Sequence, residues 1–188
     1  MKRYFSIFIF LFIIDTSSGQ VFTGAGGAIP DAGSNFTCFP VTVSGVGTIN
    51  SAYGLSSVCI NISHTYDADL YINLHAPDGT VITLTNQNGG SGNNYNGTCF
   101  TATATTLIDN GTPPFSGTYL PDQNLGLVNN GQNANGVWTL CIIDFNFGDV
   151  GTLNSFSLQF NNTPAPPPTP PNCGVNQAAS NTCQTATH

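Results

Sequence analysis

The sequence predicts an all-β fold, a jelly-roll-like β-sandwich of about eight antiparallel strands. Three observations carry that prediction. Short runs rich in Val, Ile, Thr and Phe recur between Gly, Pro, Asn and Asp turns, the pattern of half-buried strands. Some alternate strictly, as in Val58-Cys59-Ile60-Asn61-Ile62 and Phe156-Ser157-Leu158-Gln159-Phe160. No stretch sustains a helical period, and no internal repeat of fixed length is present.

The strands expected from this pattern are 39–46, 57–64, 70–74, 81–85, 137–143 and 153–160. Pro77-Asp78-Gly79 is a turn signature that joins two of them as a hairpin. Residues 88–94 read as a long polar loop. Together these elements define a domain over 35–161, within the usual size of one domain.

The flanks read differently. Lys2 and Arg3 precede an apolar run over 4–14, and the small residues Ser17, Ser18 and Gly19 follow. This is the layout of a secretory signal peptide over 1–19, with cleavage after Gly19. The run falls short of the ~20 apolar residues of a membrane span. Residues 20–34, rich in Gly and Ala, are expected to be a flexible N-terminal segment. Residues 162–172 form a Pro-rich, extended linker. Residues 173–188 carry Cys173 and Cys183 and read either as the start of a truncated Cys-containing module or as a disordered tail. The expected location is therefore secreted or cell surface.

Charge excludes several functions. Removing 1–19 takes away Asp15 and the only two basic residues, Lys2 and Arg3, so the nine acidic residues become eight aspartates with a formal charge of −8. Such a chain cannot neutralise phosphates, so nucleic acid is excluded as a partner. No Lys or Arg is left to pair with an aspartate. A secreted chain with six Cys is expected to form disulfides. Four of them, Cys38, Cys59, Cys99 and Cys141, lie inside the domain and allow three connectivities. The expected pairs are Cys99 with Cys141 and Cys38 with Cys59, each joining neighbouring strands. Zinc is disfavoured because no two of these Cys have a short metal-knuckle spacing.

The chain resembles the P domain, or Homo B domain, of proprotein convertases and related bacterial secreted proteases. The resemblance lies in His64-Thr65-Tyr66, Asp69-Leu70, Leu74 and Pro77-Asp78-Gly79-Thr80, then in Asn94-Tyr95-Asn96-Gly97-Thr98-Cys99-Phe100. It continues through Pro114-Phe115-Ser116-Gly117-Thr118-Tyr119-Leu120-Pro121 and ends in Gly136-Val137-Trp138-Thr139-Leu140, Asp144 and the run 148–156. It implies a jelly-roll-like sandwich that accompanies and stabilises a subtilisin-like serine endopeptidase, or that occurs in secreted proteins without a protease. Family members often carry an acidic residue shortly after the position of Phe100, where this chain has Thr101, Ala102 and Thr103.

The acidic residues are the candidate metal ligands. Asp69, Asp144 and Asp149 stand at positions that the resemblance retains, and Asp67 lies two residues from Asp69, on the same face if the segment is extended. Calcium takes six to eight oxygens and would balance converging carboxylates. Asp side chains also cap turns by accepting backbone amides, and the sequence leaves that alternative open.

Catalysis has no signature here. His64 has no Ser and Asp at a spacing that implies a triad, and no Gly-x-Ser-x-Gly elbow is present. His64 and Trp138 are therefore read as structural, Trp138 as core packing rather than a sugar-stacking platform. The sequons at Asn35, Asn61, Asn96, Asn110 and Asn161 bear on a eukaryotic source only. The function expected is a non-catalytic accessory domain that stabilises or targets an adjacent domain of the same larger protein. The alternative is an adhesion or carbohydrate-binding module of a cell-surface protein with no protease.

Overall fold

The computed structural model describes residues 19–168. The expected signal peptide, but for Gly19, and the Cys173–Cys183 segment lie outside the described residues. The described chain is all-β: β1 (Gln20–Ile29), β2 (Thr37–Val43), β3 (Gly54–His64), β4 (Leu70–His75), β5 (Val81–Asn86), β6 (Tyr95–Thr101), β7 (Phe115–Tyr119), β8 (Gly136–Asp144) and β9 (Gly151–Asn161). The helical content is three short 3₁₀ turns, at Asp67–Asp69, Ile108–Asn110 and Leu125–Val128. No described helix is long and apolar enough to cross a membrane.

The strands form two sheets, one of five strands in the order β1-β9-β3-β6-β7 and one of four in the order β2-β8-β4-β5. All neighbours are antiparallel except β6 and β7, which run parallel. The inward positions of β9 alternate as its sequence predicts: Leu153, Phe156, Leu158 and Phe160 are buried. Trp138 of β8 is buried among them, its ring meeting Phe160 edge-on at 5.6 Å across the two sheets. Its indole Nε1 donates to Ala134 O at 2.8 Å, satisfying the polar atom inside the core. A fully buried Trp138 offers no face to a sugar.

Three expectations are corrected. Residues 20–34, expected to be flexible, contain β1, which pairs with β9 from Gln20↔Phe160 to Ile29↔Gly151. Its glycines are there for close approach: a Cβ on Gly24 would lie 2.0 Å from the Phe156 ring, and one on Gly26 would lie 1.7 Å from Leu153 O. Only Phe22, edge-on to Phe160, and the buried Ile29 pack side chains on the core from this strand, and the glycines between them make their contacts by backbone, so hydrophobic alternation is lost. Secondly, the disulfides are Cys38–Cys141 and Cys59–Cys99. The register decides this: Cys38 lies opposite Cys141 on β2 and β8, and Cys59 opposite Cys99 on β3 and β6. Cys99 and Cys141 belong to different sheets.

The third correction concerns the linker. Its root is docked: Ala165 is buried, and its amide donates to Leu55 O at 2.9 Å. The side chain of Asn129 clasps both segments, accepting from Leu55 N at 2.8 Å and donating to Leu55 O at 3.0 Å and to Ala165 O at 2.8 Å.

Candidate functional site

The residues singled out by sequence come together at one end of the sandwich, where β3 ends, β4 begins and β8 turns into β9. Antiparallel pairing of β4 with β8 puts Leu70 opposite Asp144, and pairing of β3 with β9 puts His64 opposite Gly151. Gly151 is needed there, because a Cβ would lie 2.2 Å from the His64 ring.

His64 is buried, and both ring nitrogens are engaged. Nε2 lies 3.1 Å from Asp144 Oδ2, while Nδ1 is held by the backbone of Tyr66, 2.9 Å from its carbonyl oxygen and 3.1 Å from its amide nitrogen. Burial raises the pKa of Asp144 by more than the His64 hydrogen bond lowers it. This contact resembles two members of a catalytic triad. A base must have a ring nitrogen free to reach a reacting proton, and neither nitrogen of His64 is free.

Asp67 and Asp69 do not share a face of an extended strand. They sit on the 3₁₀ turn Asp67–Asp69 and serve different neighbours. Asp67 is fully buried; Oδ1 accepts from Asn94 N at 2.8 Å, and Oδ2 has no hydrogen-bond partner. Burial, opposed by that amide and by His64, pushes its pKa up to about 7. Through Asp67 N→Gly92 O at 2.8 Å and Ala68 N→Gly90 O at 3.2 Å, the turn also ties down the polar loop before β6.

The other aspartates fasten the turn 145–150. Asp69 Oδ1 accepts from Asn146 Nδ2 at 2.6 Å, and Asp69 O accepts from Phe145 N at 3.0 Å. Asp144 Oδ1 accepts from Asn146 N at 3.2 Å. Asp149 Oδ1 accepts from the Thr65 hydroxyl at 2.7 Å, and that hydroxyl accepts from Val150 N at 3.0 Å. Sequence reasoning missed Asp31, whose carboxylate accepts from Gly148 N at 3.1 and 3.2 Å. It missed Thr65 and Asn94 in the same way, and it named Asn146 as a metal ligand rather than as the donor to Asp69. The Pro30-Asp31-Ala32-Gly33 run signals a turn, but nothing in it names a partner 117 positions on.

Among the described residues, no three His, Cys, Asp or Glu side chains gather into a group that could hold a metal ion. The carboxylates of Asp69, Asp144 and Asp149 each accept a protein donor, as turn-anchoring aspartates do. Thr101 has no bearing on this end. It pairs with Ser57, which stands seven positions before His64 on β3, about 23 Å away at the usual rise.

The family model of the proprotein convertase P-domain matches residues 56–160. The chain is 35% identical over 132 residues to leupeptin-inactivating enzyme 1 of Streptomyces exfoliatus, covering 70% of this chain and 24% of that protein. It is 32% identical over 146 residues to the transglutaminase-activating metalloprotease of Streptomyces mobaraensis, covering 77% of this chain and 15% of that protein. The chain thus spans less than a quarter of the length of the curated relatives it matches. Among solved structures it is similar to the Aeromonas sobria serine protease in the chaperone complex, at 20% identity and a TM-score of 0.48, covering 77% of this chain and 26% of that one.

Proposed function

Because the chain belongs to the proprotein convertase P-domain family, we propose that it is a non-catalytic accessory domain of a larger secreted protein, folding beside a protease domain and stabilising it. His64 carries the non-catalytic reading: among the described residues, the one pairing that looks like acid–base machinery is a sealed contact with both ring nitrogens engaged. The protease side of the reading is supported by the relatives, one named as a metalloprotease, which extend far beyond the matched region. The sequence resemblance to convertases favours a serine endopeptidase as the companion, whereas that relative's name admits a metallopeptidase. Two disulfides fit an oxidising, extracellular setting.

The aspartates belong to this reading as fasteners. In this reading Asp69, Asp144 and Asp149 hold the turn 145–150 through hydrogen bonds.

The test uses two proteins, residues 20–168 alone and the full secreted product with those residues deleted. The isolated domain is expected to turn over none of a panel of peptide and glycoside substrates. The deletion is expected to lower the yield and the thermal stability of the companion protease. Turnover by the domain, or a companion product containing lectin repeats and no protease, overturns the proposal.

A further inference from the structure

The turn 145–150 exposes more apolar surface than a chain reversal requires. Phe145, Phe147 and Val150 are 46%, 87% and 64% exposed, in a place where Asn, Gly, Asp or Ser would serve. The turn is also held fixed. The amides of Phe145, Asn146, Gly148 and Val150 donate respectively to Asp69 O, Asp144 Oδ1, the Asp31 carboxylate and Thr65 Oγ1. The ring of Phe145 stacks on Tyr71 at 6.4 Å, and Tyr71 meets Phe36 at 5.6 Å, so an aromatic strip runs back from the turn. A rigid turn loses little conformational entropy when it is bound, and projecting aromatics are the usual anchors of protein interfaces.

Charge selects the occupant. Lys2 and Arg3 are the only basic residues of the chain, and both lie outside the described residues. Asp31 and Asp149 flank the apolar knobs. A second copy of this chain would bring carboxylate against carboxylate, and an anionic membrane would repel the turn for the same reason. We propose that the turn 145–150 is a docking element, with Phe147 as its anchor, for a protein surface that has an apolar cleft and a rim of Arg or Lys. The proposal goes beyond the accessory-domain reading and does not depend on the partner being a protease.

The test measures binding of residues 20–168 to an immobilised peptide of alternating Leu and Arg, at low and at high salt, and to phosphatidylcholine vesicles. Saturable binding to the peptide is expected, weakened at least tenfold by Phe147→Ser and partly by salt. Val137→Ser changes an exposed residue at the opposite end of β8 and should leave binding unaltered. Equal Tm values for the two variants and the unmodified chain confirm that folding is intact. The proposal fails if Phe147→Ser binds as tightly as the unmodified chain, because charge alone then explains the binding. It also fails if no binding occurs at either salt concentration, or if Phe147 drives partition onto the vesicles as strongly as onto the peptide.

Discussion

His64 and Asp144 meet at 3.1 Å with neither side chain exposed, the one contact of imidazole with carboxylate among the described residues. A buried pair of this kind is costly to break, because truncating one partner leaves the other buried without compensation. His64→Ala is expected to lower the unfolding free energy by about 3 kcal/mol. In a domain of this size that is a fall in Tm of about 6 to 12 °C. The double variant with Asp144→Ala should lose less than the sum of the single losses, which urea titration of the four proteins would show. Additive losses would mean that the two side chains act independently.

Asp67 makes stability depend on pH with the sign opposite to that of a salt-bridged carboxylate. Its pKa is raised from 3.8 to about 7 in the folded state, so between those values the folded chain binds more protons than the unfolded one. Stability is therefore full below pH 4, falls as pH rises toward 7, and levels off above. The full effect is up to about 4 kcal/mol. Burial raises Asp144 and Asp122 as well, in the same sense. Burial lowers the pKa of His75, and this opposes them near pH 6. Urea titrations should find the chain more stable at pH 5 than at pH 8, with much of that slope gone in Asp67→Asn. A slope that persists in the variant would remove Asp67 as its source.

The disulfides supply a test of register. Non-reducing peptide mapping should recover Cys38 with Cys141 and Cys59 with Cys99. The sequence separations are 103 and 40 residues. By loop-closure entropy, removing the first pair by double Cys→Ser substitution should cost about 5 kcal/mol and removing the second about 4 kcal/mol. A linkage of Cys99 to Cys141 would contradict the two-sheet topology itself.

What could be read from sequence follows the physical carrier of each feature. Burial alternation lives in side chains, so β2, β3, β4, β5, β8 and β9 were legible from Val, Ile, Leu and Phe spacing. β1 was not, because Gly24 and Gly26 act by the absence of a Cβ, which matters only once Phe156 and Leu153 lie against them. β6 and β7 break their apolar pattern at Asn96-Gly97-Thr98 and Ser116-Gly117-Thr118, and they pair in parallel. The disulfide pairing depends on register between strands far apart in the chain. At the site, Asp69, Asp144 and Asp149 stood out as acids in a chain without cations. Most of their partners did not, since backbone amides and a side chain such as that of Thr65 occur in any loop. Hydrogen-bond geometry is what favours turn anchors over metal ligands.

Metal removal separates those two roles. If Asp69, Asp144 and Asp149 are anchors, thermal melts in excess EDTA and in millimolar calcium should agree within about 1 °C. A bound calcium at 100 times its dissociation constant would add about 2.7 kcal/mol, or roughly 5 to 11 °C at this size. A rise of that size on adding calcium would return these carboxylates to the role of ligands.

Asn129 fixes where the domain ends. Its side chain makes three hydrogen bonds to Leu55 and Ala165 while itself buried. The neighbouring Gly126 leaves no room for a Cβ, which would lie 1.9 Å from Pro166 O. The start of the proline tract is therefore packed against the 3₁₀ turn Leu125–Val128 as part of the fold. Asn129→Ala takes the side-chain partner from the buried Leu55 amide and from the Ala165 carbonyl and should cost about 2 to 3 kcal/mol. Ending the chain at Asn162 removes Ala165 but spares the bonds from Asn129 to Leu55, so it should cost less, about 1 to 2 kcal/mol. Urea titration of both proteins beside residues 20–168 measures the difference. If ending the chain at 162 cost nothing, the proline tract would be a free linker from its first residue and the bonds of Ala165 to Asn129 and Leu55 would contribute nothing to stability.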